Sequence, residues 1–148
     1  AAEIAHGAGK KVSLSLSDAF CVIRHRSAFQ RLVDCHVDIL FGNDGEFAAL
    51  LETNTLDEAV RDIRRLTDLA IITRGPEGSI IVTPDDAIEI SAVPVKRVVD
   101  TTGAGDLYAA GFLHAYTQGK SLIECGELGS ALAAKIICHV GARPQTPF

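Results

Sequence analysis

Methionine is missing from all 148 residues, so the chain carries no initiator and is read as a portion of a longer protein. Its first residues, Ala1 to Gly7, resemble the last turns of a helix closed by glycine. A basic excess is also missing: 14 Lys and Arg stand against 19 Asp and Glu, a net charge of -5. Clusters such as Arg24-His25-Arg26 are therefore read as solvated helix faces, and nucleic acid is not an expected partner, because the counterion-release term needs a basic surface. Cys21, Cys35, Cys125 and Cys138 form no C-x-x-C pair and have no histidine at zinc-finger spacing, which argues against a structural zinc site and for free thiols in a reducing cytosol. No apolar run approaches the ~18 residues that span a bilayer, and no signal-peptide pattern opens the chain. A cytoplasmic protein without a membrane partner is expected.

What is present is an ordinary globular composition, 47% apolar and 22% charged. Lys11 to Leu16 alternates as a strand with Leu14 and Leu16 inward, and Ser17 or Asp18 can cap a helix running to about His36. Val37 to Phe41 reads as a buried strand delivered to Gly42-Asn43, after which Asn43 to Glu46 opens a short helix ending near Glu52. Thr55 and Glu58 form a capping box for a helix reaching Leu66. Leu69 to Thr73 is a further buried strand, Arg74 to Gly78 a turn, and Ser79 to Thr83 with Ala87 to Ser91 a hairpin. Val95 to Val99 reads as a strand leading to Asp100. Helices follow at Asp106 to Gln118 and at Leu122 to about His139, the second apolar enough to lie between layers, and Gly141 to Pro147 reads as a closing loop. This rhythm predicts an α/β fold with a largely parallel sheet in one domain, or part of one.

The chemistry concentrates in Asp100-Thr101-Thr102-Gly103-Ala104-Gly105-Asp106. A glycine turn there leaves the N–H groups of Gly103 to Asp106 without helical partners, and with the helix dipole behind them they can converge on an anion. Two familiar phosphate motifs are excluded. Gly7-Ala8-Gly9-Lys10 lacks the P-loop spacing and precedes a strand, and Gly103-Ala104-Gly105 lacks the third glycine of the dinucleotide fingerprint. From spacing alone the stretch reads equally as a plain helix start. Its small residues, and the polar, glycine-bearing ends of the strands at Gly42-Asn43 and Thr73-Arg74-Gly75, favour a ligand site.

Asp100 to Asp106 followed by Ala109-Ala110-Gly111-Phe112 closely resembles the C-terminal signature of the ribokinase or PfkB-type carbohydrate and purine kinases. Asn43-x-x-Glu46 resembles the family's second signature, and Thr73-x-Gly75-x-x-Gly78 its nucleotide turn. Leu14 to Phe20 and Val37 to Asn43 look most similar to adenosine-kinase-like members. The resemblance implies the C-terminal portion of a three-layer ribokinase-like fold. Residues 1 to 148 would form its nucleotide-binding and catalytic-base part, and the N-terminal part with the lid and acceptor site would be absent. It implies an ATP-dependent phosphotransferase that moves the γ-phosphoryl group to a primary hydroxyl of a sugar or nucleoside. The alternative is a non-catalytic nucleotide-binding fragment or regulatory module, and the isolated chain is expected to have little activity.

By the same resemblance Asp106 is the general base, and the amides of Gly103, Ala104, Gly105 and Asp106 form the anion hole. Asn43 and Glu46 lie by the triphosphate, Glu46 holding Mg²⁺ through water, while a helix cap remains a compatible reading of the pair. Thr73, Gly75 and Gly78 contact nucleotide phosphates and ribose, and Ser130 aligns beside adenine. The backbone near Asp100 and Thr102, with the Gly141-Ala142 loop, would hold a monovalent cation such as K⁺. Arg74 departs from the small or apolar residue often found there. His25, His114 and His139 are read as helix-face or core residues, Tyr108 and Tyr116 as packing residues with hydrogen-bonded tips. The first strand would present an open edge, which paired copies of the chain could cover.

Overall fold

The computed structural model describes residues 1–144. The last residues of the expected closing loop, Gln145 to Pro147, lie outside them. The chain divides into two compact units, residues 1–73 with 80–88, and residues 74–79 with 89–148.

The first unit carries helix α1 (Ala2–Gly7), strand β1 (Ser13–Ser15), helix α2 (Ala19–His36), strand β2 (Ile39–Asn43), helices α3 (Asp44–Leu51) and α4 (Leu56–Ile63), and strand β3 (Leu69–Thr73). Strands β4 (Ser79–Val82) and β5 (Ala87–Ile90) complete a sheet of order β1-β2-β3-β4-β5. The first three strands are parallel. The connections beyond β3 are too short for a parallel crossover, which takes about a dozen residues, so the sheet turns antiparallel there. The first four residues of β2 and of β3 are all buried, the continuous apolar pattern of strands covered on both faces. Leu16, Val22, Leu40, Phe47, Leu50 and Ile63 join one core cluster in which each is at most 1% exposed. As expected, β1 lies at the sheet edge.

Local chemistry sets the helix starts. The Asp18 carboxylate accepts from the Cys21 N–H at 2.9 Å, so Asp18 rather than Ser17 caps α2, and Thr55 and Glu58 make the expected reciprocal capping box. In α2 the helix kinks at His25 (φ -123°, ψ 24°). Glu52, in left-handed geometry at φ 57°, ends α3.

The second unit holds a 3₁₀ turn (Gly75–Glu77) and helices α5 (Ala104–Thr117) and α6 (Leu122–Ile136). Two small residues let these helices meet: a Cβ on Gly111 would come within 3.0 Å of the Gly129 Cα, and one on Gly129 within 2.9 Å of the Tyr108 ring. Two expectations are corrected here. Val95 to Val99 forms no strand. Pro94 offers no N–H, and the N–H groups of Val99 and Asp100 both turn to the Ile137 carbonyl at the end of α6, at 2.8 and 3.4 Å. Helix α6 is not enclosed on all sides either. Its buried face is built from small residues such as Gly126, Gly129 and Ala134, while Glu124, Glu127, Lys135 and half of Ile123 face solvent.

Candidate functional site

In the first unit, parallel pairing brings the carboxyl ends of β2 and β3 side by side, with Asn43 in register with Thr73. Ligands of open α/β sheets collect at such strand ends. The Thr73 hydroxyl donates to the Gly42 carbonyl at 3.3 Å. Asn43 caps α3 by accepting from the Glu46 N–H, and it donates in return through its own N–H and its side-chain amide to the two Glu46 carboxylate oxygens, all at 2.9 Å. Glu46 is only 7% exposed, and burial pushes its carboxyl above the usual carboxylate range. The Asn43 N–H opposes that shift, and the charges of Asp18 and Asp44 add to it. Gly42 lies so close that a Cβ there would stand 3.0 Å from a Glu46 oxygen.

In the second unit, the Arg74 N–H donates to the Gly78 carbonyl at 2.8 Å and the Gly78 N–H to the Gly75 carbonyl at 3.2 Å, closing the expected turn. Gly78 has φ +87°, and a Cβ on it would strike the Ile90 carbonyl oxygen, so no other residue fits. The Arg74 guanidinium donates to the Glu77 carbonyl at 3.2 Å and lies 3.6 Å from its carboxylate, while its Nε is buried with no partner among the described residues.

The signature stretch begins with Asp100, whose side chain organises it. One carboxylate oxygen accepts from the Thr102 hydroxyl at 2.6 Å and the Thr102 N–H at 2.9 Å, and the other accepts from the Gly141 N–H at 2.8 Å. These bonds, the Thr102 hydroxyl foremost, and the nearby His139 hold the Asp100 carboxyl down at about 2. Gly103 then caps α5 in left-handed geometry (φ 81°), with Ala142 packed against it. The Ala104 N–H bonds back to the Thr101 carbonyl at 3.1 Å, so it is spent on the turn and leaves the expected set of four donors. Among the described residues, the N–H groups of Gly103, Gly105 and Asp106 have no protein acceptor. A Cβ added to Gly105 would meet nothing within 4 Å beyond its own helix backbone and chain neighbours, and Asp106 is exposed on the first turn.

Ser130 is 7% exposed and its hydroxyl is committed to the backbone, donating to the Ser91 carbonyl and accepting from the Val93 N–H, both at 3.1 Å. The candidate residues thus fall into two sets. Asn43, Glu46 and Thr73 are in the first unit, and Gly75, Gly78, Asp100, Thr102, Gly103 to Asp106 and Ser130 in the second.

Sequence reasoning missed the Asp100 carboxylate, having given that position a backbone role. The Asp-x-Thr spacing, which favours a side-chain-closed turn, was the available signal. It also missed the partner of the Tyr108 hydroxyl, which is Ser79 at 2.7 Å.

The family profile described as pfkB family carbohydrate kinase matches residues 1–148, and the chain belongs to that family. A nucleoside kinase of Methanocaldococcus jannaschii is 39% identical over 112 residues, covering 76% of this chain and 36% of that protein. The crystal structure of adenosine kinase from Sinorhizobium meliloti superposes with a TM-score of 0.96 at 46% identity, over 98% of this chain and 45% of that one. Arabidopsis thaliana ribokinase complexed with ribose and ATP superposes with a TM-score of 0.80 at 29% identity, over 95% of this chain and 46% of that one. The chain therefore spans less than half the length of each of these relatives, and its architecture is that of part of the ribokinase fold. Among the described residues no helix is long and apolar enough to cross a membrane.

Proposed function

We propose that these residues serve an ATP-dependent phosphotransferase that moves the γ-phosphoryl group to a primary hydroxyl of a nucleoside or sugar. The observation that carries this reading is the start of α5, where N–H groups of Gly103, Gly105 and Asp106 with no protein acceptor among the described residues accompany an exposed carboxylate. Phosphoryl transfer passes through a loose transition state that needs positioning and charge stabilisation more than covalent help. Asp106 accepts the proton of the attacking hydroxyl, and the amides receive the charge of the moving phosphoryl group. Each such donor is typically worth about 3 to 4 kcal/mol in the transition state. The relatives, a nucleoside kinase, an adenosine kinase and a ribokinase, support this acceptor class.

Asn43, Glu46 and Thr73 attend the triphosphate, and the turn from Gly75 to Gly78 contacts phosphate and ribose. Glu46 fits Mg²⁺ held through water: its carboxylate oxygens are hard donors, and each is already oriented by one bond from Asn43. When bound, the ion neutralises phosphate charge. Ser130 supports the adenine side by fixing the Ser91 to Val93 backbone rather than by offering its hydroxyl to the base. Carbonyls near Asp100 and Thr102 would hold a monovalent cation such as K⁺, and the protein works in the cytoplasm.

The test is Asp106→Asn in the full-length protein, assayed against a panel of nucleosides and sugars. Turnover is expected to fall by roughly a hundred- to ten-thousand-fold while ATP still binds. Retained turnover removes Asp106 from the chemistry, and a wild type that binds ATP yet phosphorylates nothing supports a regulatory nucleotide-binding module instead.

A further inference from the structure

The second unit contains a buried polar tie that joins the nucleotide turn to the helix carrying the base. Tyr108 is 5% exposed and Ser79 is fully buried, and their hydroxyls meet at 2.7 Å across 29 residues of sequence. Each end of the tie sits beside functional backbone. Ser79 directly follows Gly78, which has φ +87° and lies where an added Cβ would strike the Ile90 carbonyl oxygen. Tyr108 stands two residues beyond Asp106, in the second turn of α5. The ring has a fixed slot, because Gly129 of α6 lies under it closely enough that a Cβ would come within 2.9 Å of ring and backbone. A rigid helix with one side chain clamped in this way cannot rotate about its axis or slide without breaking the hydroxyl bond.

We propose that Tyr108 is a positioning residue: through Ser79 it sets the N–H groups and carboxylate at the start of α5 in register with the turn Gly75 to Gly78. The inference rests on the phosphotransferase reading, in which that turn holds the donor phosphates and α5 receives the transferred group. Packing alone does not require the bond, since a phenylalanine would fill the same slot over Gly129. The tyrosine instead places a buried hydroxyl that finds its partner at the edge of the nucleotide turn. A buried hydroxyl pair left half-made costs more than the bond gains, so the tie is either complete or disruptive.

The experiment compares wild type, Tyr108→Phe, Ser79→Ala and the double variant in the full-length protein. It measures kcat, KM for ATP and for the acceptor, thermal midpoint, and hydrogen exchange of the amides from Gly103 to Leu107. Tyr108→Phe keeps the ring and therefore the packing, and Ser79→Ala gives a second route if it folds poorly. The expected result is a kcat lower by at least about fivefold in both single variants, with acceptor KM unchanged and the double variant no worse than either single one. Exchange at Ala104 and Leu107, whose N–H groups are bonded to the Thr101 and Gly103 carbonyls, is expected to accelerate in all three. A lowered thermal midpoint with wild-type kcat and unchanged exchange overturns the proposal, as do effects that simply multiply in the double variant. If the wild type transfers no phosphoryl group, the phosphotransferase reading fails. The exchange measurement still decides whether Tyr108 holds the start of α5.

Discussion

Asn43 and Glu46 grip each other through three hydrogen bonds, so that the residue ending β2 and the third residue of α3 behave as one rigid group. The arrangement is a capping box with an additional side-chain bond, and its carboxylate belongs to a residue that is only 7% exposed. A cap alone needs no such burial: the box made by Thr55 and Glu58 does the same structural work on the surface. Burial of its carboxylate is what distinguishes Glu46 from Glu58.

Replacing Glu46 by Gln tests this through pH. Burial raises the Glu46 carboxyl above its ordinary 4.5, so its contribution to stability is fully present below that pH and is lost as pH rises through the folded value. The wild type's stability relative to Glu46→Gln is therefore expected to be greater near pH 4 than at pH 7 in urea melts. The variant is also expected to need more Mg²⁺ for ATP binding, measured by calorimetric titration at fixed nucleotide. An unchanged Mg²⁺ requirement leaves Glu46 as a cap only.

For Asp100 the sign is opposite. Its carboxyl is held at about 2 against an ordinary 3.8, so its stabilisation is present above pH 3.8 and disappears as pH falls through about 2. Asp100→Asn offers an NH₂ group where one of the two oxygens now receives a donor, and the Thr102 or Gly141 bond is lost. The stability difference between wild type and Asp100→Asn is expected to be constant near neutrality and to shrink progressively below pH 4. Denaturant melts across that range check it, and a difference independent of pH contradicts the assigned bonds.

Ser121→Ala provides a calibration away from the site. Ser121 and Glu124 form a third capping box at the exposed start of α6. Its loss is expected to cost about 0.5 to 2 kcal/mol in a thermal or urea melt and to leave ATP binding unchanged.

Features written in short stretches of sequence were legible. The Asn43-to-Glu46 and Thr55-to-Glu58 boxes, the apolar strands β2 and β3, and the hairpin of β4 and β5 each depend on neighbours a few residues away. What escaped depends on distant partners. Val95 to Val99 is valine-rich enough to suggest a strand, but the N–H of its last residue bonds to the Ile137 carbonyl, which no local pattern reveals. The Ser130 hydroxyl is claimed by Ser91 and Val93, and the hydroxyl of Tyr108, expected to have a partner, finds Ser79. Ala104 is the exception: its N–H is taken by Thr101 three residues back, a turn bond that the motif's likeness to an anion hole obscured.

Gly103 and Gly105 flank that alanine, and the structure separates their duties. Gly103 needs glycine twice over: its φ is +81°, and a Cβ would stand 2.7 Å from that of Ala142. Gly103→Ala is therefore expected to lose roughly 2 to 4 kcal/mol, combining left-handed strain with overpacking. Gly105 has no positive φ and nothing within 4 Å of an added Cβ. Alanine there favours the helix by up to about 1 kcal/mol, so Gly105→Ala is expected to melt at or above the wild-type temperature. Its methyl group nevertheless enters open space on a residue whose N–H has no protein acceptor among the described residues, and the proposed mechanism brings the phosphoryl group to that N–H. A variant that is more stable and yet at least tenfold slower in turnover, with acceptor KM little changed, is the outcome that a ligand-facing glycine demands. Full activity in Gly105→Ala means that the transferred group does not approach the start of α5.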